Sequence, residues 1–466
     1  MSLNNSLRPF FKPKSIMLVG ARRSVGFGYG LPLRFKEDGW GDCVYLVNPK
    51  GGEMHGLTVY KTVAEVSEPV ELAIVIVPAP AVPETLTQLG ERGIGHVIIL
   101  SAGFSETGDE GKRLQQEAAK VAGSYGIRII GPNCVGILNT ENRLATTSVM
   151  PEAYTPGKLA VIAQSGAFGH NLLTQFNKAG IFISKAVTLG NRMDVNESEI
   201  LDYLHQDRAT ELVVMYLEGA ADGRRLVGAL KRITPDKPVL VLKGGRTAVG
   251  RQATISHTGS LSGADDIYEA MFRQTGATRV ENLLELVELA KVFSSQPLPR
   301  GNRLGILTVS GSMGVLAADT AIRSGLTVPP LAEETCKKLR EGAPDWMTVG
   351  NPADVGPSNQ FPLGSEALLE DPNIDMVLAI IATPYAVVRR IQEEGPLMDY
   401  YFRDLNSLRE KARAKPFLIA VVSHDDLVST LSKDLEPGIP VFNSPEMPVK
   451  ALAALWRLSH WREQNK

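Results

Sequence analysis

The sequence predicts three doubly wound α/β units. Short runs rich in Val, Ile and Leu recur along the chain, and each is followed by a helical pattern. Fully apolar strands that alternate with helices are typical of parallel sheets covered on both faces. The length of 466 residues agrees with three units, since a domain holds about 150 residues. A Pro- and Ser-rich stretch without periodicity, SSQPLPRGN, separates the second unit from the third.

The apolar runs set the limits of each unit. The first unit covers residues 1–150, and we predict its strands at Ser15–Gly20, Val44–Val47, Leu72–Val77 and Val97–Leu100. The second covers residues 151–293, with strands at Lys158–Ala163, Leu212–Tyr216 and Val239–Lys243 and a closing amphipathic stretch at Asn282–Phe293. Residues 294–302 form the linker. The third unit covers residues 303–466, with strands at Arg303–Val309, Met376–Ile381 and Pro416–Val422.

Composition argues against several classes of protein. Lys and Arg number 49 and Asp and Glu number 51, so the net charge is −2, and nothing overall attracts nucleic acid or an anionic membrane. The three cysteines lack CxxC spacing, which indicates a reducing compartment, and we expect a cytoplasmic protein. The apolar runs fall short of the roughly 20 residues of a membrane span. The seven histidines form no HxxxH or HExxH pair, so we predict no metal site.

The first glycine-rich turn follows the first predicted strand and reads GARRSVGFGYG over residues 20–30. Glycines at a helix N-terminus let backbone amides approach a phosphate. The spacing differs from GxGxxG, and Lys50 stands where a dinucleotide-binding fold places an acidic residue. A cation there favours a ligand with an extra phosphate, such as NADP or coenzyme A, and Arg22 and Arg23 fit the same interpretation. The alternative is a tight strand-to-helix turn with surface arginines.

Two further turns combine small polar residues with glycine directly after a strand. The second turn is Gln164-Ser165-Gly166-Ala167, and the third is Ser310-Gly311-Ser312-Met313-Gly314. Free amides and the helix dipole at such turns attract an anion. Neither turn has the GK[ST] ending of a Walker A loop or the GxSxG of a nucleophile elbow. One such turn would be weak evidence, because Ser and Gly commonly cap helices; two suggest that two helix N-termini face one anion.

His257 is the candidate nucleophile. It lies in a small, polar segment between Gly244 and Gly263, which we predict to be a loop of about twenty residues, a length that is usually functional or disordered. A neutral imidazole can accept a phosphoryl group near pH 7, and it needs a partner that fixes its tautomer. Glu218 is the candidate partner, because it closes a predicted strand of the same unit. A flexible loop histidine, or one that caps a helix, is the alternative.

These segments together resemble the α subunit of the ADP-forming acyl-CoA (acetyl-CoA) synthetases, in the nucleoside-diphosphate-forming superfamily that includes succinyl-CoA synthetase. The resemblance covers essentially the whole chain, and SHTGS, GPNC and QSGA in combination are its most specific motifs. VGARRSVGFGYG, VNPKGG, SAGFSETG, LGNRMDVNESEILDYL and VSGSMGVLAAD also carry it. Two positions depart from the family pattern: Arg22 stands where many relatives have Ser, and Val135 where Leu is common.

The resemblance implies a Rossmann-type CoA-binding domain followed by two flavodoxin-like doubly wound α/β domains. His257 would be the phosphorylated histidine and Glu218 the carboxylate that orients it. The helices that begin at the second and third turns would stabilise the phosphohistidine, and Asn133 would lie near the thioester and acyl phosphate. CoA contacts are implied at Gly20, Ala21, Arg22, Arg23, Ser24, Gly26, Lys50, Val77, Pro78, Ala79, Ser101 and Glu106.

The implied reaction converts acyl-CoA, ADP and phosphate to a carboxylic acid, CoA and ATP. The family needs an ATP-grasp domain to hold ADP or ATP with Mg²⁺, and no region of the 466 residues is long enough for a fourth domain of that kind. We therefore expect a separate ATP-grasp β subunit in an α2β2 complex. A non-catalytic CoA-binding or regulatory protein of the same fold and an NADP-dependent oxidoreductase are the alternatives. The sequence leaves open the acyl group, the physiological direction and the choice between ADP and GDP.

Overall fold

The computed structural model describes residues 3–23, 28–147, 151–258, 263–341, 343, 347, 349–356, 360–402, 404–436 and 438–466. The chain forms two compact units, Met1–Leu286 and Val287–Lys466. Three sheets, built mainly from parallel strands and flanked by helices, confirm the predicted α/β class. The predicted strands are present, with ends that differ from the predicted ones by no more than two residues.

The first sheet has seven strands and lies within the first unit. Its strands pair in parallel except for the edge pair Gly52–Met54 and Leu57–Tyr60, which is antiparallel. The helices of this part are Leu3–Phe11, Leu31–Glu37, Val82–Glu91 and Asp109–Tyr125. In spatial order the strands are Gly52–Met54, Leu57–Tyr60, Val44–Val47, Ile16–Val19, Leu72–Val75, His96–Ile99 and Arg128–Ile130.

The second sheet, also in the first unit, has seven strands. In spatial order they are Thr278–Val280, Val239–Lys243, Leu212–Leu217, Leu159–Ala163, Ile183–Thr188, Gly136–Asn139 and Leu144–Ala145. The last two run antiparallel to their neighbours, and the others are parallel. The helices here are Gly166–Lys178, Glu197–Gln206, Gly223–Ile233, Ala248–Thr258 and Asp265–Thr275, and Leu283–Ser295 contains the division between the two units.

The first two sheets share a hydrophobic core. Leu18 and Ile98 of the first sheet belong to the same buried cluster as Ile162 and Val213 of the second. The hairpin at residues 136–145 lies within the predicted first domain, yet it pairs with strand Ile183–Thr188 of the second sheet. The first sheet therefore ends at Ile130, before the predicted boundary at residue 150, and the division into three domains stays a prediction.

The second unit contains a five-stranded parallel sheet. Its strands in spatial order are Ala353–Asp354, Leu304–Thr308, Met376–Ile381, Phe417–Val421 and Val441–Phe442. The central strands are fully buried, as a sheet covered by helices on both faces requires. The helices are Gly311–Arg323, Glu333–Arg340, Gln360–Glu370, Tyr385–Glu394, Leu397–Tyr401, Leu405–Ala412, Asp425–Leu435 and Glu446–Gln464.

The three glycine-rich turns occupy equivalent places in the three sheets. Strands Ile16–Val19, Leu159–Ala163 and Leu304–Thr308 each come first in their parallel series, and the later strands pair on both sides of them. The crossovers on the two sides run in opposite directions, so a crevice opens at the carboxyl end of such a strand. Each turn follows one of these strands directly.

One local prediction is wrong. The segment from Gly244 to Gly263 was expected to be a loop, but Ala248–Thr258 is a helix. Thr247 starts it, because its Oγ1 accepts a hydrogen bond from the Gly250 amide at 3.0 Å. The apolar periodicity of this helix is weak, which is why the sequence pattern did not reveal it.

Candidate active site

Gly20 opens the first turn in a conformation that suits glycine alone. Its φ is +93°, and a Cβ built there would lie 2.3 Å from the Ile76 carbonyl oxygen. The Gly20 amide donates to the Val47 carbonyl at 2.9 Å, which ties the turn to the neighbouring strand. Ala21 beside it is buried. Ser24 and Gly26, also predicted to contact CoA, lie outside the described residues.

Two basic side chains of the first turn have different surroundings. Arg22 lines the cavity described below. Arg23 donates to the carbonyls of Gly51 and Glu53 at 2.9 and 3.1 Å, so its guanidinium braces the loop that carries Lys50. The Lys50 side chain is exposed, next to a cavity-lining proline at position 49.

Asn48 was not predicted as a site residue, although it holds two loops together. Its Nδ2 donates to the Ala21 carbonyl and its Oδ1 accepts from the Lys50 amide, each at 2.9 Å. Asn48 also lines the cavity. An Asn-Pro pair directly after a predicted strand was the signal that could have revealed it.

The loops after the next two strands complete the CoA side. Val77 and Pro78 line the cavity, and Ala79 is buried. Ser101 also lines it, and its Oγ donates to the Val77 carbonyl at 2.6 Å. Glu106, by contrast, lies outside the lining, and its Oε1 accepts from the Gly103 amide of its own loop at 2.6 Å.

The second turn begins the helix Gly166–Lys178 with Ser165 as its N-cap residue. Residues 164 to 167 all line the cavity, so the free amides of a helix N-terminus border it. A Cβ on Gly166 would approach Val135 Cγ2 to 2.6 Å, so glycine permits close packing of this turn against the GPNC segment. The phosphate contact of this turn stays a prediction.

The Gln164 side chain bonds to the backbone at Glu218, and the predicted phosphate contact of this residue stays a prediction. Its side chain is 2% exposed. Its Oε1 accepts from the amides of Glu218 and Gly219 at 2.7 and 3.1 Å, and its Nε2 donates to the Gly219 carbonyl at 2.7 Å. The carboxamide therefore clasps the backbone that carries Glu218, and we call these three hydrogen bonds the Gln164 clasp.

Glu218 is buried at the carboxyl end of strand Leu212–Leu217. Burial raises the pKa of the Tyr216 hydroxyl, and the charge of Glu218 and a hydrogen bond to it raise this pKa further. Lys243, at the end of the adjacent strand, donates to the Glu218 carbonyl at 2.7 Å. The backbone at Glu218 is thus held on its amide side by Gln164 and on its carbonyl side by Lys243.

His257 lies near the C-terminal end of helix Ala248–Thr258. Its side chain is outside the described part of the chain, so its pairing with Glu218 stays a prediction. This helix follows strand Val239–Lys243, which pairs in parallel with strand Leu212–Leu217 before Glu218. Both residues therefore follow the carboxyl ends of neighbouring parallel strands.

The third turn lies in the second unit. Ser310 is the N-cap residue of helix Gly311–Arg323, and its Oγ lies 3.1 Å from Ser312 Oγ. A Cβ on Gly311 would lie 2.8 Å from an Asp354 carboxylate oxygen, and one on Gly314 would lie 3.1 Å from Pro352. Met313 completes the first turn of the helix, its amide donating to the Ser310 carbonyl at 3.1 Å.

A cavity of about 890 Å³ joins the predicted elements of the first unit. Its volume is in the range of small-molecule and cofactor sites. The described residues of the first unit that were predicted but lie outside its lining include Ala21, Arg23, Lys50, Ala79, Glu106 and Glu218. Asn191, which was not predicted, lies within it, after strand Ile183–Thr188 in the LGNRMD segment. The predicted residues that line it are Gly20, Arg22, Val77, Pro78, Ser101, Asn133, Gln164, Ser165, Gly166 and Ala167.

Metal sites and membrane-spanning helices are absent from the described residues. Among the described residues, no three or more His, Cys, Asp or Glu side chains are grouped so that they could hold a metal ion. In the same part of the chain, every helix is too short or too polar to cross a membrane.

Two known domain families match this chain and indicate its class of protein. Residues 14–140 match the CoA binding domain family, and residues 156–293 match the succinyl-CoA ligase like flavodoxin domain. The second match includes Glu218 and His257, and the cavity is lined by residues from both regions. The fold and the site therefore define a CoA-dependent ligase, not an oxidoreductase.

Relatives that match most of this chain show the family to which it belongs. The chain is 37% identical to the α subunit of acetate–CoA ligase [ADP-forming] II from Pyrococcus furiosus, over 96% of each chain. It is 38% identical to the acetate–CoA ligase [ADP-forming] of Methanocaldococcus jannaschii, over 74% of this chain and 48% of that longer protein. The structure of acetyl-coenzyme A synthetase 1 from Candidatus Korarchaeum cryptofilum, in complex with phosphate and ADP, matches with a TM-score of 0.86 and 29% identity, covering 98% of this chain and 97% of that one. The chain belongs to the family of ADP-forming acetate–CoA ligase α subunits.

Proposed function

We propose that this subunit interconverts acyl-CoA, ADP and phosphate with a carboxylic acid, CoA and ATP, by way of an acyl phosphate and a phosphohistidine. The observation that carries this proposal is the single cavity that joins the Gly20 turn, Asn133 and the helix N-terminus at Gly166. CoA and the phosphate that attacks its thioester must meet in one place, and this cavity offers a site for each.

The first step takes place at the cavity. A phosphate oxygen attacks the thioester carbonyl carbon, the C–S bond breaks, and CoA leaves as a thiolate that takes up a proton. The helix N-terminus at Ser165–Gly166 suits the phosphate, because its amides donate hydrogen bonds and its dipole favours an anion. The Gly20 turn, Val77, Pro78 and Ser101 hold CoA, with Arg22 and Lys50 near its phosphates.

The second step moves the phosphoryl group to His257. A ring nitrogen attacks phosphorus, the P–O bond to the acyl oxygen breaks, and the carboxylate leaves. Glu218 orients the ring and stabilises its positive charge, and the backbone hydrogen bonds from Gln164 and Lys243 keep Glu218 in place. The helix N-terminus at Gly166 stabilises the phosphohistidine, and a role for the Ser310 turn stays a prediction. Phosphoryl transfer depends mainly on such positioning and charge stabilisation.

A second subunit binds the nucleotide. The family is named for an α subunit, which implies a second subunit. The M. jannaschii relative is about twice as long as the part that matches, as expected where both functions share one chain. We propose an ATP-grasp β subunit that holds ADP or ATP with Mg²⁺, in an α2β2 complex.

Two measurements test the proposal. Reconstituted with an ATP-grasp subunit and assayed against a panel of acids, the chain should form acyl-CoA and ADP, and His257→Asn should abolish this reaction. In a titration of its intrinsic fluorescence, the isolated chain should bind CoA. Binding of NADPH without binding of CoA would overturn the proposal.

A further inference from the structure

Glu106 lies behind the cavity wall and accepts hydrogen bonds from two loops. Its Oε1 accepts from the amides of Gly103 and Phe104 at 2.6 and 3.1 Å, and its Oε2 accepts from Asn191 Nδ2 at 2.6 Å. Burial raises the pKa of this carboxyl, but these hydrogen bonds outweigh burial and hold the pKa below its ordinary value. The group is therefore ionised near neutral pH, and an ionised carboxylate can only accept.

The orientation of the Asn191 amide follows from this charge. The Asn191 atom at 2.6 Å from the carboxylate has to be the NH₂ group, because an amide oxygen there would face another acceptor. The second N–H of this group donates to Gln115 Oε1 at 3.0 Å. Both donors of Asn191 are thereby used, and its Oδ1 is left to accept.

The orientation of the Asn191 side-chain amide determines that of the Asn133 side-chain amide. The Asn191 backbone is fixed beside the GPNC segment, since its amide donates to the Pro132 carbonyl at 2.9 Å. Its Oδ1 accepts from Asn133 Nδ2 at 3.3 Å. Asn133 must therefore turn its NH₂ group toward Asn191, with one N–H left to donate elsewhere. Both asparagines line the cavity.

We propose that Glu106 and Asn191 are positioning residues that orient the Asn133 amide, so that its second N–H donates to the carbonyl oxygen of the thioester. This inference rests on the proposed function. When phosphate attacks the thioester, negative charge develops on that oxygen, and a preset donor stabilises it. The opposite orientation would present the Asn133 oxygen and repel the charge.

This inference gives Glu106 a role other than the CoA contact that the sequence predicts. Ser101 and Glu106 lie in one loop, but they act at different places. Ser101 lines the cavity, whereas Glu106 acts on the acyl group through the side-chain amides of Asn191 and Asn133. The loop that borders CoA is also linked to Asn133 by its backbone, since the Asn133 backbone N–H donates to the Ser101 carbonyl at 2.8 Å.

The test uses the complex with the ATP-grasp subunit, with acetyl-CoA, phosphate and ADP as substrates and release of the CoA thiol as the readout. Asn191→Leu and Glu106→Gln should each lower kcat about tenfold, less than the roughly 10²-fold typical of losing an oxyanion donor itself. The KM for acetyl-CoA should change by less than about twofold. Glu110→Gln, at an exposed position of the helix after the loop, should have no effect.

Two double variants separate positioning from a general structural role. In an Asn133→Leu background, Asn191→Leu should lower kcat by less than about twofold more, because interacting residues are not additive. Glu106→Gln combined with Asn191→Asp should recover much of the kcat that either single variant loses, since the exchanged carboxylate again accepts from Asn133.

The outcomes are distinct. Full activity of Asn133→Leu or Asn191→Leu, or multiplicative losses in the double variant, overturns this inference while leaving the ligase function intact. A wild-type complex that releases no thiol from acetyl-CoA, or from the CoA thioester of any acid in the panel, contradicts the proposed function itself.

Discussion

The Gln164 clasp gives the sharpest quantitative prediction. Gln164 is 2% exposed and Glu218 is 3% exposed, so water does not reach the clasp readily. In Gln164→Leu, a side chain of similar volume keeps the packing but accepts nothing. The amides of Glu218 and Gly219 then lose their acceptor, and the Gly219 carbonyl loses one of its donors, although Arg192 still donates to it at 2.6 Å.

The expected cost follows from the two amides. A buried donor left without a partner costs about 1–3 kcal/mol, so two of them cost at least about 2 kcal/mol. Since every 1.4 kcal/mol is a factor of ten, local opening at Glu218 should become at least about 30-fold more favourable. A displaced Glu218 should also orient His257 less well, and we expect phosphohistidine formation to slow about tenfold or more.

Amide hydrogen exchange measures the first effect directly. Fragments that cover residues 217–220 should exchange at least about 30-fold faster in Gln164→Leu than in the wild type. Gln175→Leu makes the same chemical change at an exposed position of the following helix and should leave exchange and phosphorylation unchanged. Unaltered exchange at residues 217–220 in Gln164→Leu would show that the clasp does not hold Glu218 and would refute the reasoning.

Three further predictions concern individual charges and thiols. Lys50→Ala should raise the KM for CoA about tenfold, as expected for one lost charge-assisted hydrogen bond. The KM for dephospho-CoA, which lacks the 3′-phosphate, should not change. An equal rise in both KM values would show that Lys50 does not contact the 3′-phosphate. Burial lowers the pKa of Lys243 to about 8, below its ordinary 10.5. As the pH rises, the folded chain releases this proton before the unfolded chain does. The free energy of unfolding of the wild type minus that of Lys243→Met should therefore rise between pH 8 and about 10.5. A difference that stays constant over this range would contradict the prediction. Burial raises the pKa of Cys134 to about 12, so Cys134 should resist iodoacetamide at pH 8 in the folded protein.

Much of the fold was predictable because the predicted strands are short apolar runs. Val44–Val47, Val239–Lys243 and Met376–Ile381 have the predicted bounds. The turns were predictable too, since glycine and small polar residues directly after a strand are typical of a helix start. The helix at Ala248–Thr258 was missed, because it lacks a strong apolar face and its start depends on a single Thr cap.

Only those site residues that belong to a short local motif could be predicted from the sequence. Asn133 and Ser165 stand in such motifs and line the cavity. Asn191 and the clasp by Gln164 depend on contacts between residues 54 to 85 positions apart, which a single sequence does not encode in any periodic pattern. Glu106 shows the same limit, because its motif indicated a place near CoA while its partners decide what its carboxylate does.

The central claim is that His257 carries the phosphoryl group between the cavity and the nucleotide. Incubation of the complex with labelled ATP should place on this chain a phosphate that is labile in acid and stable in base, and mass spectrometry should locate it on His257. His257→Asn should take up no label, and Glu218→Gln should take it up slowly while binding CoA with nearly normal affinity. Label retained in His257→Asn, or an acid-stable phosphate elsewhere on the chain, would contradict the account.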